Sequence, residues 1–191
     1  MTSRVLLGMR AAILVFDGFE YFELDEVKSA LDNAGASTFI VSGSDTVTGW
    51  FHGHYGTEVA VGIPLQSARS QDFHALFLPG GTKVGEIAQN NPQAAQFVKD
   101  FIEAGKPVAA ISEGPALITK AGTARGRIMT CSPALQGELE SGGANWVNEA
   151  VVCDGNLITA RSREVVPDFI RETIRSFAQV REHLTDMRKR A

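Results

Sequence analysis

Cysteine is scarce: the 191 residues contain only Cys131 and Cys153, with no CxxC pair and no Cys/His spacing of a zinc site. A disulfide-stapled secreted scaffold is therefore excluded, and two free thiols in a reducing cytoplasm are expected, with no metal or cofactor. No long apolar run exists either. The longest, Val5 to Phe16, is broken by Gly8 and Arg10 and falls short of the ~20 residues a membrane span requires. It also lacks a small-residue cleavage site, so no signal peptide is expected. Positive charge is not in excess: 18 Lys and Arg face 22 Asp and Glu, a net charge of -4, which leaves no general field for nucleic acid or a membrane surface. What is present is ordinary for one soluble domain, 44% hydrophobic residues in a chain long enough to bury roughly 70% of its unfolded surface without staples.

Short apolar runs alternate with helical patterns along the chain. Ala11 to Phe16 has the continuous apolar character of a strand buried on both faces. Phe22 to Ala34 follows with helical spacing and Gly35 as its stop, and Ser37 to Val41 completes a βαβ unit. Thr46 to Gly62, punctuated by four glycines, reads as a hairpin decorating the sheet. Further strands are expected at Ala75 to Leu78, Val108 to Ile111, Arg127 to Thr130, Trp146 to Val152 and Leu157 to Ala160. Helices are expected at Pro92 to Ala104, Pro115 to Ala121, from Ser132-Pro133 to about Glu140, and Val166 to Phe177. Asp154-Gly155 suits a type I′ hairpin. This order gives an α/β class with a doubly wound, mostly parallel sheet and helices on both faces. Residues 1–10 form a poorly ordered lead-in, 11–180 a single domain, and 181–191 a basic tail carrying Arg181, Arg188, Lys189 and Arg190.

Ligands of such sheets gather beyond the carboxyl ends of the strands. The segments to inspect are Asp17 to Glu23, Pro79 to Thr82, Ser112 to Pro115 and Thr130 to Pro133. Ala110-Ile111-Ser112-Glu113-Gly114-Pro115 has the form of a nucleophile elbow, in which a strand ends on a nucleophilic residue and turns at once into a helix. The plainer alternative is a serine that caps the next helix. Gly80 and Gly81 let the backbone pass close to the elbow and offer N–H donors to a carbonyl or carboxylate ligand. Gly80-Gly81-Thr82-Lys83 lacks the order of a phosphate loop. Cys131 and Ser132 belong to the same sheet edge, Cys131 as a displaced thiol or a small buried hydrophobe. Cys153, before the Asp154-Gly155 turn, reads as structural. His52 and His54 share a strand face but have no further ligands for a metal. His74 lies at the wrong end of the sheet and His183 lies in the tail, so no Ser-His-Asp triad is expected.

Three segments follow in order: Asp17-Gly18-Phe19-Glu20-Tyr21-Phe22-Glu23, Leu78-Pro79-Gly80-Gly81, and Pro107 through Ser112-Glu113-Gly114-Pro115. Together they resemble the DJ-1/PfpI (ThiJ/PfpI) family. Gly143-Ala144-Asn145-Trp146-Val147-Asn148-Glu149, Asp154 to Thr159 and Val166-Pro167-Asp168-Phe169 are similar to its PfpI or general-stress-protein branch. The resemblance implies a flavodoxin-like, class I glutamine amidotransferase-like sandwich that assembles as a homodimer or larger homo-oligomer. It also implies a cysteine at the elbow, followed in the PfpI branch by histidine, with a glutamate from the first βα loop hydrogen-bonded to the thiol. Family members are described as peptidases, glutathione-independent glyoxalases, proposed deglycases, and oxidative-stress or chaperone proteins.

Here the matching positions are Ser112, Glu113 and Glu23, and the branch's glutamate after the Pro-Gly-Gly turn matches Gly85, with Glu86 one place away. A helix N-terminus can lower a thiol into the thiolate range but cannot ionise a serine hydroxyl, which needs a base. An engineered exchange of cysteine for serine would account for Ser112 alone and leave Glu113 unexplained, which favours divergence. The expectation is a stress-related protein, non-catalytic or weakly catalytic, that binds a small carbonyl or carboxylate compound or a protein partner. The alternatives are a hydrolase, hydratase or lyase using Ser112 with Glu23 or Glu113, and an oligomeric chaperone-like protein.

Overall fold

The computed structural model describes residues 4–51 and 54–190. Its first strand, β1 (Arg10–Leu14), leads through the two-residue β2 (Phe19–Glu20) into α1 (Tyr21–Asn33) and β3 (Ser37–Ser42). The hairpin β4 (Thr46–Phe51) and β5 (His54–Ala60) and the short β6 (Ile63–Pro64) come next. Then follow β7 (Ala75–Leu78), α2 (Val84–Asn90), α3 (Pro92–Glu103), β8 (Val108–Ile111) and α4 (Pro115–Lys120). The chain closes with β9 (Ile128–Met129), α5 (Gln136–Ser141), β10 (Asn145–Trp146), β11 (Val151–Asp154), β12 (Leu157–Ala160) and α6 (Val166–Arg190).

Seven strands form the main sheet in the order β11-β12-β8-β7-β1-β3-β6, parallel throughout except where β11 meets β12. Period-two alternation sorts the strand residues into two cores. Ala12, Leu14, Leu76, Leu78, Val108 and Ala110 pack on one face with Phe97, Val98 and Phe101 of α3 and Leu117 of α4. Ala11, Ile13, Phe77, Ala109, Ile111 and Ile158 pack on the other with Leu24, Val27 and Leu31 of α1 and Phe169 and Phe177 of α6. The result is the expected three-layer α/β/α arrangement.

Helix punctuation follows the expected chemistry. Gly35 closes α1 at φ 98°, where its own N–H and that of Ala36 return to Asp32 and Leu31 carbonyls. Asn91 caps α3 by accepting from the Ala94 N–H at 2.9 Å, with Pro92 in the first turn.

Several expectations are corrected. The described part of the lead-in, residues 4–10, is not loose: Leu6 and Met9 are fully buried in the α1/α6 layer, and the Leu6 N–H donates to Ala34 O at 2.9 Å. Residues 127–130 and 146–152 do not form two long strands, because β9 and β10 pair only with each other in a parallel two-stranded sheet. The turn between β11 and β12 has positive φ at Gly155 and not at Asn156, which is type II′ rather than I′. Helix α2 was not anticipated, since seven residues hold too few apolar positions to show a period. The basic tail continues α6 to Arg190, and Arg181 donates to Val5 O at 3.0 Å, tying this helix to the N-terminal segment. No helix among the described residues is long and apolar enough to cross a membrane.

Candidate functional site

Strands β8, β7 and β1 are neighbours at the centre of the sheet, and the chain proceeds outward from β1 in opposite directions on its two sides. This is a topological switch point, where the loops leaving adjacent strands part and open a crevice. The loop after β1 brings Glu23, the loop after β7 brings Gly80 and Gly81, and the end of β8 brings Ser112 and Glu113.

Ser112 stands at the elbow with φ 55°, and it is the one non-glycine residue with positive φ among those described. Such a conformation persists only where the surroundings fix it. Here the Ser112 N–H extends the sheet by donating to Ala160 O at 3.0 Å, and its carbonyl accepts from the Ser132 N–H at 2.9 Å. Gly114 is required two residues on, because a Cβ there would collide with the carbonyl oxygens of Leu78 and Ile111. The elbow is thereby pressed against β7.

Glu23 sits in the first turn of α1 and is 1% exposed. Its Oε2 accepts from the Gly80 N–H at 2.8 Å and its Oε1 is hydrogen-bonded to Ser112 Oγ. Burial pushes its pKa up to about 8, against the lowering effect of these two bonds and with a contribution from the negative charge of Glu113. Burial therefore favours the protonated form of this carboxyl. Ser112 Oγ is the donor to Glu23 Oε1; with the proton on Oε1 the same bond runs the other way and the serine hydrogen is released to another acceptor. In the ionised state Ser112 Oγ donates to Glu23 instead. A protonated Glu23 cannot act as a base.

Glu113 is half-buried. Its Oε2 accepts from the Gly81 N–H at 3.1 Å. A Cβ built on Gly80 would meet Glu113 Oε2 at 2.7 Å, Ser112 Cβ at 2.7 Å and Glu23 Oε2 at 2.8 Å, so three side chains close on one point and only glycine fits there. Gly81 is equally constrained: with φ 152° it bridges to Phe19, and a Cβ would strike Gly18 O. The adjacent Gly80 O accepts from the Glu20 N–H at 2.9 Å. The β4 strand braces this loop from outside by pairing with β2, so the hairpin supports the turn that presents Glu23 rather than merely decorating the sheet.

The remaining sequence candidates are not brought into this cluster as reactive groups. Cys131 is fully buried, and burial, reinforced by the charges of Glu113, Glu138 and Glu140, pushes its thiol up to about 12. This setting suits a small hydrophobe better than a displaced nucleophile. Ser132 contributes its backbone N–H to Ser112. Cys153, on β11 at the end of the sheet, is exposed. Glu86 is also exposed. His74 is at the amino end of the sheet, where its Nδ1 accepts from the Arg10 N–H at 3.0 Å. His52 and the side chains of His54 and His183 lie outside the described residues. Among the described residues no group of three or more His, Cys, Asp or Glu is arranged to hold a metal ion.

Sequence pattern alone does not pick out Arg163, whose guanidinium carbon lies 5.4 Å from the Phe22 ring centroid. With Glu26 and Val166 this pair lines a small cavity of about 140 Å³ beside the first turn of α1. Its signal was available: Arg163 follows the carboxyl end of β12, by the same rule that singled out the other loops.

The family model described as the DJ-1/PfpI family matches residues 9–176. The chain belongs to the DJ-1/PfpI family. An uncharacterized protein of Staphylococcus epidermidis is 31% identical over 170 residues, spanning 88% of this chain and 98% of its own. An uncharacterized protein of Staphylococcus aureus is 30% identical over 167 residues, with 87% and 96% covered. Among solved structures, Drosophila melanogaster DJ-1beta superposes with a TM-score of 0.79 at 22% identity, over 94% of this chain and 98% of that one. A two-domain protein of Anabaena variabilis, with DJ-1/ThiJ/PfpI-like and ferritin-like domains, gives a TM-score of 0.81 at 27% identity. The match covers 87% of this chain and 47% of that protein. The flavodoxin-like fold expected from the motifs is the fold observed.

Proposed function

We propose that this chain is a DJ-1/PfpI protein without the family's cysteine chemistry, holding a small carbonyl or carboxylate compound at the Ser112 elbow by hydrogen bonds without turning it over at neutral pH. The observation that carries this reading is the buried Glu23–Ser112 pair. Among the described residues Glu23 is the one side chain hydrogen-bonded to the Ser112 hydroxyl, and its burial favours the protonated form, in which it offers the hydroxyl no base. His74 is too far away to substitute, and the Cys131 thiol is kept neutral by burial.

Intact-protein mass after exposure to a serine-reactive fluorophosphonate at pH 7, with Ser112→Ala alongside, tests the proposal. No adduct is expected on either protein. A single adduct lost in the variant, or glutathione-independent turnover of methylglyoxal at neutral pH, overturns it. The direct Ser112–Glu23 bond also supports a second reading, a slow hydrolase at alkaline pH with ionised Glu23 as the base. Its signature is labelling that rises through pH 8 and is absent from Glu23→Gln.

A further inference from the structure

We propose that Glu113 occupies, from within the chain, a backbone donor that a ligand oxygen would otherwise take, and that its charge selects neutral carbonyl compounds over carboxylates at the Ser112 site. This deepens the function proposed above and rests on it.

Gly80 and Gly81 supply two consecutive N–H groups directed into the crevice. Both are already used: Gly80 donates to Glu23 Oε2 at 2.8 Å and Gly81 to Glu113 Oε2 at 3.1 Å. In sites that bind or stabilise an anionic oxygen, backbone donors of this kind are kept for the ligand. Here the chain fills them itself, so the donors expected to receive a carboxylate are no longer open.

The placement of Glu113 is built in. The Ser112 backbone, at φ 55°, reverses the chain, and the turn behind it is closed by Gly114 N–H to Ile111 O at 2.8 Å and Ala116 N–H to Glu113 O at 3.0 Å. The side chain of residue 113 is thus directed toward the Gly80-Gly81 turn, where its carboxylate lies next to Ser112 and Glu23 around the same point. Glu113 is half-buried, while Ser112 is 7% exposed and Glu23 1%, so an entering molecule meets Glu113 first and Ser112 next.

A carboxylate arriving at Ser112 would have to displace a like charge from Gly81 or settle beside it, and like charges held together away from water repel strongly. A neutral compound that carries both a carbonyl and a hydroxyl meets no such barrier. Its carbonyl accepts from the Ser112 hydroxyl and its hydroxyl donates to Glu113. Small hydroxycarbonyl compounds are the class this arrangement fits, and hydroxy acids are the class it rejects.

Glycolamide and glycolate test this, being unreactive, nearly isosteric, and different chiefly in charge. Their dissociation constants are measured by ligand-observed NMR on the full chain, its Glu113→Gln and Glu113→Ala variants, and Ser112→Ala. The unaltered chain is expected to prefer glycolamide by at least about tenfold, with binding lost in Ser112→Ala. Glu113→Gln is expected to erase most of that preference chiefly by strengthening glycolate binding, and Glu113→Ala to do the same should the glutamine variant fail to fold. A preference unchanged in both variants, or equal binding of the two compounds by the unaltered chain, overturns the role of Glu113 while leaving the Ser112 site standing. If neither compound binds, or if Ser112→Ala binds as well as the parent, the Ser112 site itself is refuted and this inference falls with it.

Discussion

Glu23 is the side chain whose environment has the widest consequences. Burial pushes its carboxyl up to about 8 in the folded protein, from an ordinary value of 4.5. The folded state therefore binds the proton more tightly, so this group favours folding fully below pH 4.5 and loses that contribution as pH rises towards 8. The slope between those limits is at most about 1.4 kcal/mol per pH unit. Urea titrations at pH 5, 6, 7 and 8 are expected to show the parent losing stability relative to Glu23→Gln across this window, since glutamine has no proton to release. A constant difference between the two proteins would mean that Glu23 titrates normally. Cys131 offers the opposite lesson about thiols: burial beside acidic groups favours the neutral thiol over the reactive thiolate. No modification by iodoacetamide is expected there under native conditions, whereas exposed Cys153 is expected to be alkylated, as peptide mass mapping would show.

Among the elements, the β8–α4 elbow depends on close backbone approach more than on side-chain burial. Gly114 has no room for a methyl group because the carbonyl oxygens it would meet, Leu78 O and Ile111 O, belong to strands fixed at the sheet centre. Neither can give way without breaking ladder hydrogen bonds. Gly114→Ala is expected to cost about 2 to 4 kcal/mol in chemical denaturation, whereas the same substitution at Gly137, where a Cβ meets nothing within 4 Å, is expected to be neutral or stabilising. The β4–β5 hairpin shows how a peripheral element acquires a positioning role. By pairing with β2 it holds the loop that delivers Glu23, and Gly49 permits this because a side chain there would press on the Phe19 ring at 2.9 Å.

For the molecule as a whole, the two ends of the chain stabilise each other. The N-terminal segment fills the α1/α6 layer with Leu6 and Met9, and Arg181 near the end of α6 reaches the Val5 carbonyl. Leu6 is fully buried, so Leu6→Ala is expected to destabilise the fold by about 2 to 4 kcal/mol, measurable as a lower urea midpoint with little change in slope. A loss below 0.5 kcal/mol would show that this segment is only loosely applied to the rest.

The class of fold was legible in the chain because continuous apolar runs such as Ala11 to Phe16 and Val108 to Ile111 leave no polar face, and such strands can only lie between two layers. The elbow was legible too, since Ala110 to Pro115 end a buried strand on a small hydroxyl and turn at once into a helix opened by proline. The short pieces were not legible: α2, β9 and β10 carry too few residues for any period, and pairing partners decide what they become. Charge state was likewise hidden. Two glutamates separated by ninety positions in sequence look alike on paper, yet three-dimensional packing buries Glu23 against Gly80 and Ser112 and leaves Glu113 at the entrance on the Gly81 N–H. Apolar pattern is a local property and survives in one dimension, whereas a carboxyl's proton depends on which atoms surround it, and those come from β1, β7 and β8 only after the sheet has assembled.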